Sequence, residues 1–172
     1  MKHSILYVLL LIPFLTMAQQ SPTINFFEKH SEDKGYTSVY ITKHTFDFFA
    51  KISDDNDAQS FKKAVSTLNT IKVLESEHGS KSKENNIFYT ELLPALKNYE
   101  EILQVKEDGQ IIKIFVLSQN DKITEFVVLI YGPSENILVI MEGEDINIKQ
   151  LAAMSDNMNI NGLEHINEID TK

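Results

Sequence analysis

Four apolar runs follow one another in the second half of the chain and constrain its fold more than any other feature. They are residues 102–106, 110–118, 122–131 and 136–142. The breaks between them are short and contain Gly, Asn, Asp or Pro, which is typical of hairpin turns. The pattern therefore predicts four antiparallel strands that pair in the order of the chain.

The first half of the chain has a different period, with apolar residues at helical spacing. We predict short strands at 37–41 and 71–75, and helices over residues 24–30, 42–52, 54–68, 85–99 and 148–154. Pro94 predicts a kink or a restart inside the helix at 85–99. The predicted class is α+β: a four-stranded or larger antiparallel meander sheet from the C-terminal half, with helices from the N-terminal half packed on one face.

The chain has 172 residues, which fits a single domain with its own core. Lys2 and His3 precede an apolar run that is too short to stay in a bilayer, and small residues follow it at Thr16-Met17-Ala18. We interpret residues 1–18 as a signal peptide; the alternative is a buried or membrane-anchoring helix. Residues 19–25 are predicted to be a flexible arm, 26–160 a single domain, and 161–172 a loosely ordered tail.

The charged residues and the absence of cysteine disfavour several classes of function. The formal net charge is −9, and the sequence contains no arginine. An acidic chain without the bidentate arginine fork is poorly suited to bind nucleic acid or an anionic membrane. With no cysteine, the chain has neither a disulfide framework nor a thiol that could carry lipid. We expect an exported protein, periplasmic or secreted, that is soluble and has no membrane anchor after signal cleavage.

Several stretches are similar to those of a known family. The most recognisable is YEEILQVKEDGQ, from Tyr99 to Gln110, and the similarity continues through residues 123–129 and 140–146. From about Phe26 to Leu151 the chain resembles the exported family called domain of unknown function 4252. The resemblance implies a cell-envelope protein of the Bacteroidetes type, and it implies no activity and no catalytic residue. Many similar proteins look like lipoproteins, and this chain departs from them because it has no cysteine.

No motif in the sequence points to a catalytic, cofactor or metal site. The histidines lack the four-residue spacing of a zinc-protease helix, and the acidic run at 54–57 lacks the Gly and Glu of a calcium loop. Glu28 and Glu32 would share a helix face near His30, but a charged helix end is the more common reason for such a cluster. We predict no catalytic residue, no cofactor and no bound metal, including at His30 and His78. A carboxylate pair for hydrolysis cannot be identified from the sequence, because the two residues need to be close in space and not along the chain.

The apolar residues point to a possible interaction surface. Phe48 lies about 100° around the predicted helix from Phe49, so it leaves the apolar stripe. The strands at 122–131 and 136–142 are apolar on both faces, and such strands are normally covered on both. We expect helices to cover one face and a second molecule to meet the other. Of the two opposite-face substitutions Val139→Lys and Ile140→Lys, one should then unfold the domain and the other should alter only its association. The predicted interaction surface consists of Phe48, Val127, Leu129, Val139 and Met141.

These observations favour a non-enzymatic cell-envelope binding or interaction module of unknown ligand. Its partner would be an envelope protein or a second copy of the chain bound through the sheet. Two alternatives stay open: a carboxylate-dependent hydrolase that acts on an envelope polymer, and a periplasmic sensor partner of a signalling system. A polar cleft holding a carboxylate of raised pKa would favour the hydrolase, whereas an exposed apolar patch would favour the interaction module.

Overall fold

A computed structural model of the chain describes residues 20–52, 62–63, 65–76, 79–80, 82–149 and 151. The signal peptide predicted at 1–18 and the tail predicted at 161–172 lie outside these residues. So does most of the helix predicted at 54–68. Its residues 62, 63 and 65 are helical, whereas residues 66–67 form a turn and Leu68 begins a strand, so the predicted helix extended too far. Of the helix predicted at 148–154, residues 148, 149 and 151 are described and helical.

Six strands form one antiparallel sheet. They are β1 (Tyr36–Thr42), β2 (Leu68–Ser76), β3 (Glu100–Glu107), β4 (Gln110–Gln119), β5 (Lys122–Tyr131) and β6 (Asn136–Gly143). Their order across the sheet is β1-β2-β6-β5-β4-β3, and every neighbouring pair is antiparallel. The predicted meander is confirmed as β3 to β6, and the α+β class is confirmed. Two further strands extend the sheet beyond β6.

Helix α1 spans Pro22–His30 and helix α2 spans Lys43–Ile52. The start of α1 corrects the predicted arm at 19–25, because Pro22 occupies the first turn, where its missing N–H costs nothing. The Ser21 hydroxyl caps this end by accepting a hydrogen bond of 3.3 Å from the backbone N–H of Ile24. No helix in the described part of the chain is both long enough and apolar enough to cross a membrane.

The region predicted as one helix at 85–99 consists of three short helical turns instead. They are a 3₁₀ turn at Lys83–Asn85, a π-helical turn at Phe88–Leu92 and an α-helical turn at Leu93–Ala95, together called segment 83–95. Pro94 cannot donate to the carbonyl four residues earlier, which accounts for the restart predicted there. Four apolar residues in and just after this segment are buried against the sheet: Phe88, Leu92, Leu96 and Tyr99.

The sheet has a hydrophobic core on each face. On one face α1 and segment 83–95 cover the strands, forming the α1 core. On the other face α2, Val65 and the chain after β6, including Ile146 and Leu151, form the α2 core. The helices are thus divided between both faces rather than packed on one. The reason is the composition of the central strands, which are apolar on both faces. Exposing either face to water would cost free energy.

Candidate functional site

A buried carboxylate interrupts the α1 core. Glu125 lies on β5 and is 3% exposed, on the same face as Val127 and Leu129. Its carboxylate accepts hydrogen bonds from the Thr23 hydroxyl in the first turn of α1 and from the Tyr99 hydroxyl, the latter at 2.9 Å. Both donors are neutral, so the described contacts provide this carboxylate with hydrogen bonds but with no opposite charge.

Burial shifts the acidity of this group. Desolvation raises the pKa of Glu125, and the nearby charge of Glu142 adds to the rise, while hydrogen bonds from Thr23, Tyr99 and Ser21 oppose it. Desolvation also raises the pKa of Tyr99, with a further contribution from the charge of Glu125. Tyr99 therefore stays protonated near neutral pH and continues to donate to the carboxylate.

A second carboxylate lies beside the first on the neighbouring strand. Glu142 of β6 is directly opposite Glu125 in the register. It accepts hydrogen bonds of 2.6 Å from the Thr70 hydroxyl and from the Lys72 ammonium, both on β2. Lys72 is 8% exposed, and its nitrogen lies 5.1 Å from the centre of the Tyr40 ring on β1. A row of polar side chains thus crosses four strands and ends at the β1 edge of the sheet.

Two adjacent carboxylates with different environments can supply an acid and a base for hydrolysis. Here Glu125 has the raised pKa of an acid, and Glu142 is paired with a cation. Glu125 is almost fully enclosed, however, and its hydrogen bonds come from the chain's own Thr23 and Tyr99. A general acid must reach the substrate oxygen within hydrogen-bond distance. The described contacts of Glu125 connect α1 and Tyr99 to the sheet.

His30 lies in a second polar cluster, at the end of α1. Its Nδ1 is 2.7 Å from Asp33, and its ring packs 4.7 Å from the ring of Phe26. Its Nε2 is buried without a hydrogen-bond partner in the described structure, and it lies 3.9 Å from a Glu91 carboxylate oxygen. The acidic side chains near the His30 ring nitrogens are thus Asp33, which belongs to the cluster seen in the sequence, and Glu91. Among the described residues, no three His, Asp or Glu side chains are arranged to hold a metal ion. His78 lies outside the described residues.

A wide depression lies at one end of the sheet. Its volume is about 690 Å³. Its lining residues are Lys63, Ser66, Thr67, Ile123, Asp145, Ile146, Asn147, Ile148 and Lys149. The charged side chains in this lining are all exposed, so none is desolvated as ligand-binding groups in an enclosed pocket are.

The exposed apolar side chains lie near one edge of the sheet. In the described part of the chain three large hydrophobic residues are exposed: Val39 at 43%, Tyr40 at 58% and Phe48 at 60%. Val39 and Tyr40 are consecutive on β1 and point to opposite faces of the sheet at its edge, and Phe48 is on α2, the next element of the chain. Phe46 of the same helix is 3% exposed, so α2 separates the two rings as its geometry predicts. We call Val39, Tyr40 and Phe48 the β1–α2 surface.

The other four predicted surface residues are buried. Val127 and Leu129 belong to the α1 core, whereas Val139 and Met141 belong to the α2 core. None of the four is more than 2% exposed. The prediction that they share one surface is wrong, because Val127 lies opposite Ile140 in the β5–β6 register, which places Val139 on the other face.

Sequence reasoning also missed Glu125 and the exposed pair on β1. The signal for Glu125 was present, since a charged residue at 125 shares its alternation with the apolar residues at 127, 129 and 131. The exposure of Val39 and Tyr40 had no local signal, because it depends on β1 lying at the edge of the sheet.

A family model described as "Domain of unknown function (DUF4252)" matches residues 27–154. This range runs from α1 to the helical residues after β6 and so includes all six strands. No curated protein and no solved structure matches the chain.

Proposed function

The chain belongs to the DUF4252 family, and on that premise we propose that it is a non-enzymatic interaction module of the cell envelope that binds a partner protein through the β1–α2 surface. The observation that carries the proposal is the position of its exposed apolar side chains. Val39, Tyr40 and Phe48 lie on consecutive elements, whereas the large apolar residues of both sheet faces are enclosed by the chain's own elements.

The exposed residues have the chemistry of a contact surface. Aromatic side chains are enriched at protein interfaces, and tyrosine adds a hydroxyl that can hydrogen-bond at the rim. Each of these residues is about half exposed, so burying the remainder in a complex contributes roughly half of the ~1.5–3 kcal/mol for a fully exposed apolar side chain, before the costs of association. Lys72, which is 8% exposed and paired with Glu142, lies against the Tyr40 ring.

The hydrolase alternative has one supporting observation, the raised pKa of Glu125. We favour the interaction module because the hydrogen-bond partners of this carboxylate are structural groups of α1 and Tyr99, and because Glu125 is only 3% exposed. The other alternative, in which the chain itself is a periplasmic sensor partner of a signalling system, would also use such a surface. Export remains a proposal that rests on the apolar segment at 5–15 and the small residues at 16–18.

Photo-crosslinking in the native host tests the proposal. Benzoylphenylalanine would replace Tyr40 or Phe48 in two variants, and Lys97 or Asn120, which are exposed elsewhere, in two controls. We expect irradiation to give discrete protein adducts from positions 40 and 48 and not from the controls. Equal adduct formation at all four positions, or none at any, would contradict the proposal.

A further inference from the structure

The two edges of the sheet differ in how they are protected. β3, at one edge, has four charged residues among its eight, Glu100, Glu101, Lys106 and Glu107, and its register shifts between Glu101 and Leu103. Charges and bulges are two of the devices that prevent an edge strand from pairing with another chain. β1, at the other edge, has seven residues with no charge and no proline.

β1 is also exposed along its middle and rich in residues that favour strands. Residues 37–40 are all exposed, and the strand contains two tyrosines, two threonines, a valine and an isoleucine. An exposed, uncharged edge of this kind is a template for a further strand.

We infer that β1 pairs antiparallel with β1 of a second copy of the chain, about a twofold axis at Val39. This inference rests on the proposed function, since it identifies the partner at the β1–α2 surface as the chain itself. The two sheets would join edge to edge into one sheet with twice the number of strands.

The sequence of β1 fits this arrangement from end to end. An axis at Val39 aligns all seven residues of both strands, placing Thr37 opposite Ile41 and Ser38 opposite Tyr40. Every cross-strand pair is then uncharged, and pairs of β-branched or aromatic residues stabilise antiparallel strands.

The charges and the bulge of β3, at the opposite edge of the sheet, explain why such pairing would end at a dimer. A twofold contact uses the same patch on both copies and closes on itself. Because β3 carries its charges and bulge at the outer edge of each copy, further addition of strands is disfavoured. The expected species is a dimer and not a filament.

Cysteine crosslinking gives a direct test, because the chain contains no cysteine of its own. Residues at the axis would have Cα atoms about 4.5–5.5 Å apart, which lies within the range that a disulfide spans. In an oxidised glutathione buffer we expect Val39→Cys to form a covalent dimer at least tenfold faster than Gln104→Cys, a matched exposed position on the β3 edge. Equal rates for the two variants would overturn the inference.

Charge variants separate the interface from any effect on folding. We expect the purified full chain to sediment as a dimer at about 100 µM, and Val39→Lys and Val39→Glu each to sediment as folded monomers, since each places like charges opposite one another. An equimolar mixture of the two variants should recover the dimer. A wild-type chain that stays monomeric, or variants that remain dimeric, would overturn the inference.

The outcomes also separate this inference from the proposed function. A monomer that still forms adducts with another protein from position 40 contradicts self-pairing and leaves the interaction module standing. A monomer without adducts from position 40 or 48 contradicts both.

Discussion

Glu125 shows how one residue can connect a helix to the sheet and make the stability of the fold depend on pH. The folded protein encloses its carboxyl, and the Thr23 hydroxyl of α1 and the Tyr99 hydroxyl donate to it. The same contacts that hold α1 in place therefore also set the protonation of Glu125.

The sign of the pH dependence follows from the raised pKa of Glu125. Between the ordinary value of 4.5 and the raised value in the folded protein, the folded state keeps a proton that the unfolded chain has lost. Because the folded state binds more protons in this window, the free energy of unfolding falls as pH rises through it. Each unit of pKa difference corresponds to about 1.4 kcal/mol.

We predict that Glu125→Gln removes the fall in the free energy of unfolding that accompanies rising pH. The amide keeps an oxygen that can accept from Thr23 and Tyr99, but it cannot ionise. The free energy of unfolding of the variant, relative to that of the wild type, should therefore rise from pH 4.5 up to the pKa of Glu125 in the folded protein and then level off. Urea unfolding at a series of pH values measures the difference. Parallel curves for the two proteins would contradict the assigned role of Glu125.

Removing the hydrogen bond that Tyr99 donates to Glu125 should widen the pH range over which the protein loses stability, whereas Glu125→Gln should abolish that loss. The hydrogen bond from Tyr99 lowers the pKa of Glu125, so Tyr99→Phe should extend the loss of stability to higher pH. It should also cost about 1–3 kcal/mol, because it takes a hydrogen bond from a buried group. Tyr89→Phe is the matched control, since Tyr89 packs 5.8 Å from the ring of Tyr131 and makes no described contact with Glu125.

At the scale of the elements, the hairpin turns were readable from the sequence. Asp108 and Gly109 join β3 to β4, with φ angles of 49° and 82°. Asn120 and Asp121 join β4 to β5, with φ angles of 53° and 62°. Two consecutive residues of positive φ match the twist of the strands that they connect, and Asn, Asp and Gly are the residues that adopt this conformation most easily.

We predict that Asp121→Gly stabilises the protein. Asp121 has a φ angle of 62°, which glycine adopts without the steric cost of a Cβ atom. Relief of the roughly 1–2 kcal/mol cost of the left-handed conformation exceeds the ~0.5–1 kcal/mol entropic cost of glycine. The expected net gain is therefore about 0.5–1 kcal/mol, measured from the midpoint of urea unfolding. Asp121→Ala is the control and should destabilise the turn, because it removes the carboxylate but keeps the Cβ atom. If both variants shift stability in the same direction, the side chain of Asp121 matters more than its backbone.

Elements that have a local sequence pattern were predicted correctly. Features that depend on contacts between distant segments of the chain were not. Alternation predicted β3 to β6 and the turns between them, and Pro94 predicted the restart in segment 83–95. The start of α1 at Pro22 was missed, because Thr23 and Ile24 follow a polar stretch and their burial depends on contact with the sheet. The position of β2 between β1 and β6 is a non-local pairing for which the sequence carries no periodic signal.

At the scale of the whole molecule, the sheet is closed on both faces by the chain itself. Val127 and Ile140 are thirteen positions apart in the sequence, and register alone places them together in the α1 core while Val139 joins the α2 core. Alternation along each strand was predicted, but it does not say which face of one strand matches which face of the next. For this reason the predicted surface combined residues that belong to opposite faces of the sheet.

We predict that lysine at Val139 and lysine at Ile140 both unfold the domain. Each residue is 0% exposed and the two point to opposite cores, so each variant would place an unpaired charge in an apolar environment, at a cost of several kcal/mol. Circular dichroism and thermal unfolding measure the result, with Thr37→Lys on the exposed part of β1 as the control that should fold. A folded Val139→Lys or Ile140→Lys protein would show that one face is open.

The central claim is that the chain acts by association at the β1 edge and its neighbouring helix α2. Hydrogen–deuterium exchange of β1 and β3, compared between the dilute isolated chain and its associated form, tests this most directly. We predict that the amides of residues 36–42 gain protection on association, while those of residues 100–107 at the opposite edge keep the same exchange rates. Protection gained at β3, or unchanged exchange at β1 in a chain that has demonstrably bound its partner, would contradict the account.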